Sequence, residues 1–172
     1  YLGKHEYLKA MLRVRRRVRE GGFDLVHAHY GLSGVVALAQ GRLPVVVSFM
    51  GDDVFGTPDR TGHYSLNSRL VAWLSRRVAD RADAVIVKSH ALQAALRRAD
   101  AAVVPNGVDF GLFQPVPQDE ARRKLGLDPT RRYVLFTGSP DLPVKDFSLA
   151  SAAFDALERR EPAAGLLVAA RA

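Results

Sequence analysis

The sequence predicts an α/β protein built on parallel sheets, and three observations carry that prediction. Short, continuously apolar runs such as Val45-Val46-Val47, Ala84-Val85-Ile86-Val87 and Val134-Leu135-Phe136 have the composition of strands buried on both faces. Amphipathic segments of helical period separate them. Small residues and glycines stand where the runs end, as at Gly31, Gly51, Gly107 and Gly138. Strands of this kind alternating with helices imply parallel sheets covered on both faces.

In chain order, apolar residues at Leu8, Met11, Leu12 and Val18 mark a helix over about 5–20 with its arginines on the opposite face, and Gly21-Gly22 ends it. Asp24–His29 is expected to be a strand, 31–40 a helix and 44–49 a strand, followed by a Gly-, Asp-, Pro- and Thr-rich loop over 51–63. Residues 65–80 form the next helix, with Leu66, Leu70, Trp73, Leu74 and Val78 expected to face the core. A strand at 84–88, the N-cap Ser89, a helix at 91–98 and a strand at 102–105 come next. The prolines Pro115 and Pro117 break the pattern, so 113–118 is assigned as a linker between domains at 1–112 and 119–172. The second domain should hold a helix at 119–125, a strand at 132–137, a helix at 146–160 and a strand at 165–170. The chain begins inside a helix and stops directly after a strand, the pattern expected of a piece of a longer protein with parts of two domains.

Composition excludes several classes. The 172 residues are 48% hydrophobic, enough for a packed core. With no cysteine there are no disulfides or thiolate metal sites, which agrees with a cytoplasmic location. No apolar run approaches the roughly 20 residues that span a bilayer. Of the net charge of +7, residues 1–20 supply +5 from seven basic and two acidic side chains. The basic character is therefore local, and without interleaved aromatics it argues against nucleic acid as a partner.

The most informative stretch is Arg132 to Pro140 followed by Lys145. It predicts a strand, a loop of small residues and a lysine just before a helix that starts near Asp146. Free N–H groups, a helix dipole and an ammonium suit a phosphate. A second turn, Val103 to Asp109, accompanies it upstream.

Four segments together resemble the retaining family-4 glycosyltransferases of the GT-B fold, in which two Rossmann-like domains face each other across a cleft. His27-Ala28-His29-Tyr30-Gly31 is similar to the family's turn after an early strand, and Val45 through Gly51-Asp52-Asp53 to its next strand and Gly-Asp loop. Pro105-Asn106-Gly107-Val108-Asp109 resembles the run that closes the first domain. Phe136-Thr137-Gly138 through Pro143-Val144-Lys145 resembles the first strand and phosphate loop of the donor domain, in a variant most like transferases of bacterial surface-polysaccharide synthesis.

The resemblance implies transfer of a sugar from a nucleotide-sugar to an acceptor hydroxyl, with retention at the anomeric carbon and no cofactor beyond the donor itself. Lys145 is then the catalytic cation on the departing diphosphate, with N–H groups at Gly138 and Ser139. His29, Gly51, Asp52, Asn106 and Gly107 are placed on the cleft rim, outside the carboxyl ends of strands. A lipid-linked or polysaccharide acceptor is implied, and Arg13, Arg16 and Arg17 would face an anionic membrane surface on the inner side of the plasma membrane.

Two positions depart from the family pattern. Ser139 stands where an arginine is common, and Met50 where a histidine is common. Both keep open a non-catalytic nucleotide- or phosphosugar-binding module. The acidic Glu-x7-Glu segment of the donor domain would lie beyond residue 172. No Asp-x-Asp motif suggests a chelated metal.

Plainer roles stand beside these. His27 and His29 are taken to face opposite sides of the sheet, one as a packed histidine. Asp52 and Asp53 serve equally as loop caps, Asp109 as an N-cap and Asn106-Gly107 as a tight turn. The arginine face serves equally as a solvated one.

Overall fold

The computed structural model describes residues 4–59 and 62–169. The loop positions Arg60 and Thr61 and the last expected strand residue, Ala170, lie outside the described residues. The chain divides into two compact units, Tyr1–Gly107 and Val108–Ala172.

Unit 1 opens with α1 (Lys4–Glu20), which Gly21 and Gly22 end with positive φ angles of 85° and 83°. Then follow β1 (Val26–His29), α2 (Gly31–Leu38), β2 (Val45–Ser48), the short α3 (Asp52–Phe55), α4 (Leu66–Arg81), β3 (Ala84–Val87), α5 (His90–Leu96) and β4 (Ala102–Val103). Ser65 and Ser89 cap α4 and α5, accepting hydrogen bonds from the Ser68 and Leu92 amides. The four strands are parallel in the order β1-β2-β3-β4, with Val26 opposite Val45 and Val46 opposite Ala84.

That order corrects one expectation. Right-handed crossovers between strands in sequential order put every crossover helix on the same side of the sheet. Ala28, Val45, Val47, Val85 and Val87 are accordingly buried in the core. On the alternate face, His27 and His29 are exposed and Val46 and Ile86 only half-buried, so the described helices do not cover both faces.

Two helices are rotated from their expected orientation. In α4, Val78 is buried and Leu74 half-buried as expected, but the other buried residues are Ala72, Ser75 and Ala79, whereas Leu66 is 84%, Leu70 52% and Trp73 51% exposed. The reason is steric. A Cβ on Gly31 would overlap Ser75 Oγ, and one on Gly34 would meet Val78 Cγ1 at 2.5 Å. Small residues on α4 and glycines on α2 bring the two backbones closer than leucine or tryptophan would permit. In α1, Met11 and Val18 are half-buried as expected, but Tyr7, Ala10 and Val14 line a cavity with Val36 and Ala37 of α2 while Leu8 and Leu12 are exposed beside arginines.

Unit 2 contains α6 (Gln118–Lys124), β5 (Arg132–Phe136), a 3-10 turn at Pro143–Lys145, α7 (Phe147–Glu158) and β6 (Ala164–Val168). β5 and β6 pair in parallel, Arg132 opposite Ala164, as a single β-α-β crossover. Phe136 meets Phe147 edge-on at 5.1 Å between centroids and ties the strand end to the helix start. No described helix is long and apolar enough to cross a membrane.

Candidate functional site

In unit 1 the candidate residues gather at the carboxyl edge of the sheet, where parallel sheets bind ligands. His29 ends β1, Gly51 and Asp52 follow β2, and Asn106 and Gly107 follow β4. They do not converge on one point. β4 stands three strands from β1, about 14 Å along the sheet edge at the usual strand spacing.

The organising group is Asp53, which is fully buried. Its Oδ2 accepts from the Gly31 amide at 2.9 Å, and its Oδ1 accepts from the Met50 and Gly51 amides at 3.1 and 2.9 Å. One carboxylate thus joins the β1–α2 turn to the β2–α3 turn and supplies negative charge at the α2 N-terminus. The capping role expected of an aspartate here belongs to Asp53, and Asp52 stands exposed beside it.

Asp52 lines a cavity of about 220 Å³ with Tyr30, Thr57, Ser65, Asn67, Ser68 and Val71. Tyr30 takes φ 81°, a left-handed conformation costly for a tyrosine, while its amide donates to the Ser48 carbonyl at 2.9 Å. Tyr30, Thr57, Ser65, Asn67, Ser68 and Val71 are not among the site positions to which the sequence alone points. Tyr30's signal was its place between a strand end and a helix-opening glycine.

His29 lies apart from that cavity. His27 and His29 share one face of β1, as residues two apart on a strand must, which corrects their assignment to opposite sides. Their rings lie 4.5 Å apart, and His27 Nε2 is 2.9 Å from Ser48 Oγ. Burial first, then the neighbouring His29 and Lys88, hold the His27 pKa below its ordinary value. Among the described residues no group of three or more His, Asp or Glu side chains gathers to hold a metal.

Asn106 and Gly107 lie in exposed backbone after β4, and Gly107 is not among the glycines of positive φ. Asp109 Oδ1 accepts from the Gly111 and Leu112 amides at 2.8 and 3.3 Å, closing a local turn without a following helix.

In unit 2 the turn after β5 brings Gly138 against Lys145. A Cβ on Gly138 would stand 2.9 Å from Lys145 Cγ, so only glycine lets the lysine stem lie this close. Gly138 is buried, Ser139 half-buried and Lys145 exposed. The next residue, Asp146, caps α7: its Oδ1 accepts from the Leu149 amide at 3.2 Å and from Ser148 Oγ at 2.8 Å. The helix end is therefore already met by a carboxylate, and an incoming anion would rely on the lysine and the loop amides. Arg13, Arg16 and Arg17 are exposed on α1, where Arg17 pairs with Glu20 at 2.7 Å.

The parallel sheet of unit 1, with its loops at the carboxyl edge, and the β-α-β crossover of unit 2, with its lysine-bearing loop, are of the α/β, GT-B-like class of folds. The chain belongs to glycosyltransferase family 4, whose model matches residues 2–112. It is 34% identical over 166 residues to the D-inositol 3-phosphate glycosyltransferase of Segniliparus rotundus, covering 87% of this chain and 35% of that protein. It is 33% identical over 167 residues to the same-named protein of Actinosynnema mirum, covering 91% of this chain and 39% of that one. Among solved structures it is similar to a sucrose-phosphate synthase from Thermosynechococcus elongatus, with TM-score 0.65 and 22% identity over 98% of this chain and 43% of that one. The chain thus spans less than half the length of these relatives.

Proposed function

We propose that the whole protein transfers a sugar from a nucleotide-sugar to an acceptor hydroxyl with retention, residues 1–112 serving the acceptor and 119–172 opening the donor half. The observation that carries this reading is the packing of Lys145 on Gly138 in the loop after β5, in a family-4 chain. Such transfer must neutralise a departing diphosphate while the anomeric carbon gains positive charge. A fixed ammonium and loop amides do so without covalent chemistry. Lys145 is the catalytic cation, and the Gly138 and Ser139 amides are the phosphate donors. On the acceptor half, His29, Gly51, Asp52, Asn106 and Gly107 form the rim, to which the cavity adds Tyr30 and Ser68.

The acceptor in this reading is lipid-linked or a polysaccharide of the bacterial surface. The protein works in the cytoplasm against an anionic membrane surface that Arg13, Arg16 and Arg17 meet. A second reading, a soluble phosphorylated polyol, is favoured by the relatives named D-inositol 3-phosphate glycosyltransferase. A non-catalytic binding module is the alternative that Met50 and Ser139 support.

The test is Lys145→Ala in the whole protein, assayed for turnover with lipid-linked and with soluble phosphorylated acceptors. A kcat lower by about two to three orders of magnitude is expected. Unchanged turnover removes Lys145 from the chemistry. Donor binding without turnover in the unsubstituted protein establishes the module instead, and the acceptor that turns over decides between the two acceptor readings.

A further inference from the structure

The outward stripe of α4 has no role in the site described above. Leu66, Leu70, Trp73 and Arg77 follow one another at helical spacing, so they share a face about 16 Å long. Three of them are large and apolar, and at least half of each is exposed. The Arg77 guanidinium lies over the Trp73 ring, 5.6 Å from its centroid. Arg69 and Arg76 run along one border of the stripe and Arg81 along the other, all exposed. The groove at the foot of Trp73 adds the exposed rings of Phe55 and Tyr64. Apolar patches of this kind mark interaction surfaces, not accidents of packing.

Charge selects the occupant. The stripe and its borders carry four arginines with Asp80 as the acid among them. Unit 1 as a whole holds sixteen basic and nine acidic residues, whereas unit 2 holds nine of each. A second copy packed on this stripe would set arginine against arginine, a costly pairing. The partner must therefore be anionic and must accept leucine and tryptophan side chains. A bilayer rich in acidic lipid is both. Arginines reach the headgroups while leucines enter the acyl boundary, and tryptophan is favoured at that depth. On α1, which packs on α2 as α4 does, Leu8 and Leu12 are likewise exposed beside arginines.

We propose that the Leu66-Leu70-Trp73 ridge of α4 is a membrane-docking surface, inserting its apolar side chains at the interface of an anionic bilayer. The inference rests on the membrane reading of the arginines on α1, and goes beyond it in assigning an apolar anchor on a different helix.

Trp73 is the single tryptophan of these 172 residues and reports on the surface directly. The whole protein is titrated with vesicles of phosphatidylglycerol in phosphatidylcholine, with Trp73→Phe subtracted to isolate its emission. The expected result is a blue shift of Trp73 and its quenching by brominated acyl chains. Vesicle binding should persist in part at high salt and be about thirtyfold weaker in the L66S/L70S variant. All of these side chains are exposed, and the quenching arm needs no substitution beyond the subtraction control. Vesicle binding with no shift and no quenching of Trp73 overturns the α4 anchor and leaves the arginines of α1 as the contact. Absence of vesicle binding overturns both. A concentration-dependent dimer that buries Trp73 without lipid overturns the proposal in favour of a protein interface.

Discussion

Asp53 shows how much one side chain decides. A buried carboxylate is costly unless its lone pairs are filled, and the amides of Gly31, Met50 and Gly51 fill them. Asp53→Ala would leave those amides short of a partner and cost roughly 3 kcal/mol, read as a lower denaturation midpoint. Asp53→Asn keeps the shape and one good acceptor, so it should recover part of that stability. Equal loss in both variants would show that charge, and not hydrogen-bond capacity, holds the two turns. At Asp146 the same chemistry recurs, so aspartates of the chain itself already occupy positions at helix starts that an incoming phosphate would otherwise favour. Lys145 gains importance from that arrangement, since an anion near Asp146 needs a neighbouring cation.

At the scale of elements, the α2–α4 contact sets where the site stands. Gly31 opens α2 and touches Ser75, and the same residue carries the amide that Asp53 accepts. Gly31→Ala should therefore destabilise unit 1 by about 1–3 kcal/mol through overpacking. Ser75→Gly removes the clashing atoms at a helix-propensity cost of about 1 kcal/mol. Combined, the two substitutions should cost less than their sum in a double-mutant cycle of thermal denaturation. Strict additivity would mean that the helices do not meet at this point.

Across the whole molecule, charge and order are unevenly distributed. Residues 104–117 have no helix or strand and are exposed, with Phe110, Leu112 and Phe113 among the most exposed large side chains of the chain. Limited digestion with chymotrypsin should cut first at 110–113 and release a fragment that holds all of unit 1, as read by mass spectrometry. First cleavage inside β5 or α4 would contradict the division of the chain into these units.

Much of this was legible from residue order. Apolar runs such as Val45–Val47 and Ala84–Val87 define strands because a parallel strand must bury its side chains, and Ser65 and Ser89 announce helix starts because their hydroxyls fill free amides. The turn after β5 that holds Gly138 and Lys145 was visible for the same local reason. Which side of a helix faces inward was not. The period of α4 places Leu66, Leu70 and Trp73 on one face and Ala72, Ser75 and Ala79 on the other, and hydrophobicity favours the first. Only the close approach of Gly31 and Gly34 on a neighbouring helix selects the second. The cavity at Tyr30 was hidden likewise, because its walls come from segments distant in sequence, joined by Asp53 to the Gly31 amide and by the Thr57 amide to Ser68 Oγ. Local propensity and period are written along the chain, whereas the choice among faces depends on partners brought together by folding.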